Sequence, residues 1–479
     1  MHSTSRKPPA LRQTGHGVLN VWCRSSIREM LENDKLSLFS PLCHSPAPVQ
    51  GELAGALMTS KTARPRVLIY SHDSFGLGHL RRCRAIAHAM VGDTDNLTVL
   101  ILSGSPIIGS FDFRARVDFV RVPGVIKLRN GEYTSLNLLL DTEQTMAMRE
   151  SIMKHTADIF DPDIFLVDKE PLGLRGEVRE TIDMLKERGT RVILGLRDVM
   201  DDPALLEAEW RRKKAVPALR DLYDEIWVYG LPQIHDPLEE IEVPQSVRRK
   251  MVYTGYLERS VPQALPDTGL RDSIEEPFIL VTTGGGGDGD LLVDWVLKAY
   301  ESRRAPEIPA LVVFGPFMQP EMKAEFQDRV DLLDNVTAIT FDAHLETLME
   351  KASGVLAMGG YNTFCEILSF DKPALIVPRQ VPRREQLIRA SRAQELGLVS
   401  MLTEDMAEKP EAMATAIRQL TQQRRPSQVV VPGLLDGLEN VNRLVAMHLA
   451  EGRYGISLPQ VARQDKLTVT SADSRRRAT

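Results

Sequence analysis

One pattern occurs twice along the chain and restricts its fold more than any other feature. A short aliphatic run ends in glycines, and an amphipathic helix follows at once. The first copy is residues 67–70, then a turn containing Gly76, Gly78 and His79. In the helix after it, Leu80, Cys83, Ala87 and Met90 fall at helical spacing, with Arg81, Arg84 and His88 on the other side. The second copy is residues 278–282, then Thr283 and the glycine run 284–287, then a helix carrying Leu291, Leu292, Trp295 and Ala299. Unalternated apolar runs are what strands buried on both faces require. Their alternation with helices predicts an α/β fold with parallel sheets.

The pattern continues between and after these copies. Strands are expected at 97–102, 119–121, 164–167, 192–196 and 225–229 in the first half. In the second they fall at 310–314, 336–340, 354–358 and 374–377. The Pro-containing stretch from about 252 to 277 reads as a junction. The organisation expected is a tail over 1–62, a Rossmann-like acceptor domain over 63–250, a Rossmann-like donor domain over 251–452, and a second tail over 453–479. The first tail is rich in Ser, Pro, Arg and Gly, and Met58 is a candidate start. Active sites in such sheets lie at the carboxyl ends of strands, which places this one in a cleft between the two halves.

Composition narrows the class. The 479 residues are 43% hydrophobic and 26% charged, with a formal net charge of −6. That excludes collagen-like and wholly disordered chains and argues against an extended nucleic-acid surface. The four cysteines, Cys23, Cys43, Cys83 and Cys365, form no C-x-x-C pair, which argues against a zinc module and fits a reducing cytoplasm. No apolar run reaches the ~18 residues of a membrane span. The basic and apolar stretch 210–216 suits either a solvated helix face or peripheral contact with anionic lipid.

Glycine turns at helix starts suit phosphate, because helix amino termini present amide N–H groups and partial positive charge. A dinucleotide fingerprint is incomplete in the first turn, where Arg81 stands in place of the third glycine. No G-K-[ST] follows any glycine run, so a Walker loop is excluded. The second turn reads either as a flexible connection or as an anion cradle. Asp288 and Asp290 form a D-x-D pair without the rest of a metal-ligand set, and no metal is expected. The strongest local signal is later. Gly359-Gly360-Tyr361-Asn362-Thr363 opens a helix that carries Glu366, followed by Pro373, Pro378 and the helix with Gln386 and Ala390. Read alone, Glu366 suits either ribose hydroxyls or a solvated helix acid.

These residues resemble the donor-binding motif of GT-B glycosyltransferases, closest to glycosyltransferase family 28, over roughly residues 66 to 451. The match is specific in the second half and looser in the first. The resemblance implies two Rossmann-like domains facing a cleft, and a UDP-sugar donor. Glu366 would hold the ribose. Gly359, Gly360, Asn362 and Thr363 would meet the diphosphate, with Gly78 and the turn Gly284, Gly285 and Gly286. Gln386 would reach the sugar, and the base would sit near 341–344. The basic stretch 379–384 departs from the family's pattern.

The expected reaction is transfer of a hexose or N-acetylhexosamine to a glycan or lipid-linked acceptor, inverting, without a metal or other cofactor. His79 at a helix start is the candidate base, since the dipole disfavours imidazolium, and it also suits a capping or anion-contacting role. Asp168 is the second candidate. Arg197 and Asp198 end another strand and face the cleft or cap it. Acceptor contacts are expected in loop 127–133, and the location in the cytoplasm or on the inner face of the membrane. The alternatives are a GT-B-fold UDP-sugar epimerase or hydrolase, and a non-catalytic nucleotide-sugar-binding protein.

Overall fold

The computed structural model describes residues 64–72, 77–127, 133–261, 277–285, 287–342 and 344–454. Met58, Gly76, Gly286, Cys23, Cys43, both expected tails up to 63 and beyond 454, and loop residues 128–132 lie outside the described residues.

Fifteen strands are described, β1 to β15. The first sheet contains β1 (Arg66–Ser71), β2 (Thr98–Ser103), β3 (Val117–Arg121), β6 (Ile164–Asp168), β7 (Arg191–Arg197), β8 (Glu225–Tyr229) and β9 (Met251–Tyr253), in the order β3-β2-β1-β6-β7-β8-β9. All its pairings are parallel, and β1 is central, with Val67 beside both Val99 and Ile164. The second sheet contains β10 (Ile279–Thr282), β11 (Ala310–Val313), β12 (Val336–Ile339), β13 (Gly354–Ala357), β14 (Ala374–Ile376) and β15 (Ser400–Met401), in the order β12-β11-β10-β13-β14-β15 and also parallel. The strands of both centres are buried along most of their length, which explains their lack of alternation.

Three features differ from the sequence reading. The expected boundary at 250 falls inside the first sheet, because β9 pairs with β8. Loop 127–133 begins and ends in a hairpin, β4 (Val125–Lys127) against β5 (Tyr133–Ser135). The terminal helix Gly437–Tyr454 crosses back onto the helix Gly78–Asp93 of the first half. Short strands of three residues carry too little periodicity to be seen in sequence.

The first helix follows its pattern. Leu80, Cys83, Ala87 and Met90 are buried under the sheet. In the second copy Leu292, Trp295 and Ala299 are buried, but Leu291 is exposed. Stretch 210–216 also resolves. Trp210 and Ala215 face the core, Arg211 pairs with Glu207, and Lys213 pairs with Glu170 and Glu209. Its principal apolar group is therefore not presented to a membrane. Among the described residues, no helix is long and apolar enough to cross one.

The described residues between 64 and 454 fall in one compact unit. Buried ion pairs tie the two sheets' elements together. Asp198 receives Arg389 through Nε at 2.7 Å and a second guanidinium nitrogen at 2.6 Å, and Tyr256 Oη donates to the same carboxylate at 2.7 Å.

Candidate functional site

In each sheet the strand order reverses at one point, beside β1 in the first and β10 in the second. Crevices form at such switch points because successive connections leave on opposite faces. The carboxyl end of β7 and the start of helix Gly78–Asp93 meet the carboxyl ends of β10 and β13 around a cavity of about 490 Å³. Its wall includes Gly78, His79, Arg197, Gly284, Gly285, Gly360, Asn362, Thr363 and Gln386.

His79 is the second residue of helix Gly78–Asp93, which places its ring over the end of β6. Asp168, the last residue of β6, contacts His79 Nδ1 at 2.5 Å. An ionised carboxylate only accepts, so the proton sits on Nδ1 and Nε2 keeps its lone pair. Arg82, one residue short of a turn further along the helix, clamps Asp168 through Nε and a terminal nitrogen, both at 2.8 Å. Burial works to raise the Asp168 carboxyl, but Arg82 and His79 hold it well below the usual carboxylate range. Burial pulls His79 down to about 4 despite the neighbouring carboxylate. The imidazole is therefore neutral near pH 7, and desolvation rather than the helix dipole is the principal cause. Asp168 is buried behind His79 and off the cavity wall, a position suited to orienting rather than to accepting a substrate proton.

The second half contributes backbone. The helix Tyr361–Ser369 starts on the cavity wall, and its first-turn N–H groups lack helical partners. Gly360 lies open there: a Cβ added to it would meet nothing within 4 Å. Gly359 differs. Its φ is +77°, a Cβ would lie 2.7 Å from Ile376 Cγ2, and its carbonyl accepts from Arg389 at 3.1 Å. Gly359 is thus fixed by packing and is off the wall. Asn362 spans the halves, donating to the Gly78 carbonyl at 2.9 Å and accepting from Arg259 at 3.0 Å. Gln386 accepts the Arg379 N–H at 3.0 Å.

Glu366 is neither solvated nor on the cavity wall. It is 0% exposed and pairs with Arg81 at 2.6 Å, while the same guanidinium holds Glu346 at 2.8 Å. Burial, opposed by Arg81 and reinforced by the Glu346 charge, pushes Glu366 up to about 7. Two carboxylates sharing one cation cannot both ionise freely. Of the 341–344 segment, Ala343 lies outside the described residues, and Phe341 and His344 are not on this wall. Asp288, the first member of the D-x-D pair, is engaged by Arg379, which also holds Glu385 at 2.6 Å.

A second cavity of about 1040 Å³ lies wholly in the first half, lined by His72, Tyr133, Glu170, Arg175 and Lys213 among others. His72 packs edge-on against His79, with ring centroids 5.5 Å apart, so the two histidines stand between the cavities. His72 Nδ1 lies 3.2 Å from Tyr70 Oη, which donates to Glu177 at 2.6 Å. Burial holds His72 well below its ordinary value. Its position just past β1 was the available signal. The roles of Arg81, Arg82 and Arg259 had none, because helix and loop arginines are common and their partners lie 85 to 285 residues or so away in sequence.

Comparison with known proteins agrees with this architecture. Residues 278–428 match the model of the glycosyltransferase family 28 C-terminal domain. A Methanosarcina acetivorans protein described as an uncharacterized glycosyltransferase is 24% identical over 210 residues, 43% of this chain and 52% of that protein, so the match spans about half of the relative's length. Among solved structures, CalG4, the calicheamicin glycosyltransferase, aligns over 83% of this chain and all of its own, with TM-score 0.53 and 14% identity. A Medicago truncatula protein complexed with UDP-glucose aligns over 82% and 100%, with TM-score 0.54 and 14% identity. A Listeria monocytogenes protein assigned as a UDP-N-acetylglucosamine 2-epimerase aligns over 83% and 99%, with TM-score 0.53 and 12% identity. These likenesses establish the fold alone. The chain therefore has the GT-B fold, and its residues 278–428 match the glycosyltransferase family 28 C-terminal domain.

Proposed function

We propose that this protein is an inverting glycosyltransferase that moves a hexose or N-acetylhexosamine from a UDP-sugar to a hydroxyl of a glycan or lipid-linked acceptor. The observation that carries the reading is one wall. His79, backed by Asp168, faces the glycine turn 284–285 and the start of helix Tyr361–Ser369 across a single cavity. The family match of residues 278–428 supports the donor half.

The chemistry follows from those positions. His79 Nε2 removes the acceptor hydroxyl proton as its oxygen bonds to the anomeric carbon. The bond from that carbon to the diphosphate breaks, and its electron pair leaves on the phosphate oxygen. Backbone N–H groups at the turn and helix start stabilise that charge without reorganising. Asp168 stabilises the imidazolium and fixes its tautomer. The acceptor approaches from the 1040 Å³ cavity across His72. Its lining mixes charged and hydroxyl groups that can hydrogen-bond a sugar with apolar groups at Leu172, Leu174 and Ala215.

A thermal-shift screen of UDP, UDP-sugars and NAD tests the donor, since a ligand that binds only the folded chain raises its apparent stability. Selective stabilisation by UDP and UDP-sugars supports the reading, and a response to NAD alone overturns it. Incubation with a UDP-sugar and no acceptor separates the epimerase and hydrolase readings: rapid epimer or free sugar favours them.

A further inference from the structure

Four arginines reach the wall of the 490 Å³ cavity, and three are neutralised in contact. Arg82 is clamped on Asp168, Arg81 is shared by Glu346 and Glu366, and Arg379 is held by Asp288 and Glu385. Arg197 is different. It ends β7 of the first half, faces the same cavity, and makes no ion pair with any described residue. Its Nε is buried without a hydrogen-bond partner. The two carboxylates that influence it are already engaged, Asp198 by Arg389 and Tyr256, and Glu385 by Arg379. Burial, with Arg82 and Arg389 close by, pulls the guanidinium down to about 10, so it remains a cation at neutral pH.

A half-buried cation whose Nε is cut off from water and which has no ion pair in contact is favoured by an anion that completes it. The facing wall is also built for an anion: Gly284 and Gly285 form a turn after β10, and the helix Tyr361–Ser369 starts beside it. These two observations are independent, one a side chain of the first half and the other backbone of the second. Resting on the donor reading above, we propose that Arg197 binds the diphosphate of the donor and neutralises the charge that grows on it as the sugar departs. The leaving-group site is then shared. The second half supplies fixed dipoles, and the first half supplies, among the described residues of the wall, the arginine not already matched. Guanidinium geometry suits this role, because its fork can meet two phosphate oxygens at once.

The test is titration calorimetry of the full chain with UDP and with uridine, using wild type, Arg197→Gln and Arg197→Lys. Wild type is expected to bind UDP more tightly than uridine. Arg197→Gln should weaken UDP by roughly ten- to a hundredfold, the range for a charged hydrogen bond, and leave uridine within about twofold. Arg197→Lys should recover part of the loss. Unchanged UDP affinity in Arg197→Gln overturns the assignment. Equal weakening of UDP and uridine overturns it too, since that pattern marks a packing role. If wild type binds neither compound, the donor reading falls and takes this assignment with it; if it binds UDP and Arg197→Gln does not alter that, only this assignment falls.

Discussion

The two halves use the same scaffold for opposite electrostatic purposes. In each, a central strand sits where the order reverses, and a helix leaves from its carboxyl end toward the cavity. The strand ends of the first half carry ionisable groups: His72 after β1, Asp168 at the end of β6, and Arg197 at the end of β7. Those of the second half carry Thr283, Gly284 and Gly285 after β10, and Gly359 and Gly360 after β13. Charge that must be gained or lost during reaction needs side chains with tunable pKa values. Charge that must be held in place is better met by backbone dipoles that cannot move away. The proposed transfer reaction calls for both, and on that reading each half supplies one.

The comparison is most exposed at His79. His79→Ala should lower turnover about a thousandfold while UDP affinity stays within a few-fold, because the change removes a proton acceptor from the first half and no donor contact from the second. Turnover within tenfold of wild type in a steady-state assay would remove His79 from the reaction. Next in size is the bond between the halves. Asp198→Asn leaves Arg389 buried against a neutral partner, and urea unfolding should report a loss of about 3 kcal/mol. A loss below ~1 kcal/mol would mean that the pair is easily replaced by other contacts.

Two adjacent glycines then separate packing from ligand approach. Gly359→Ala forces an L residue to φ +77° and into Ile376, and should cost about 2 kcal/mol of stability. Gly360→Ala places a methyl where no protein atom lies within 4 Å. Stability should change by less than ~0.5 kcal/mol. UDP affinity should nonetheless fall about tenfold if backbone approach at that wall matters. Reversed phenotypes, measured by melting and calorimetry side by side, would reverse the roles given to the two residues.

The smallest effect concerns pH. His79 is held down to about 4, so its neutral form persists through pH 5–8, and kcat/KM should be flat there as far as this group is concerned. Its acid limb should lie near 4, where imidazolium forms. Stability follows the same sign: below the ordinary histidine value of ~6.5 the unfolded chain takes up this proton first, so His79 contributes a loss of stability as pH falls from ~6.5 toward 4. An acid limb at ~6.5 that disappears in His79→Gln would show an exposed, ordinary imidazole instead.

Much of the scaffold was legible. The apolar runs at the two sheet centres, the glycine turns after β10 and β13, and the buried face of Leu80, Cys83, Ala87 and Met90 all follow from local pattern, because burial on both faces and helical spacing leave marks within ten or so residues. The pair His79 and Asp168 could be nominated separately, each at an element's end. Their 2.5 Å contact could not, since 89 residues separate them. The same limit hid the Arg81 link that removes Glu366 from the cavity wall, and the different fates of Gly359 and Gly360, which look equivalent in sequence.

Sequence alone determined which residues form the longer buried strands, where backbone may turn tightly, and which side chains can carry charge, because these depend on each residue and its near neighbours. Tertiary structure alone decided which charges are neutralised. Arg82 and Arg197 are the same residue type beside the same cavity. One finds a carboxylate at 2.8 Å and the other finds none in contact among the described residues, and the difference is set by which strand ends the two sheets bring together. Electrostatic energy depends on distance and burial in space, and sequence separation does not encode either.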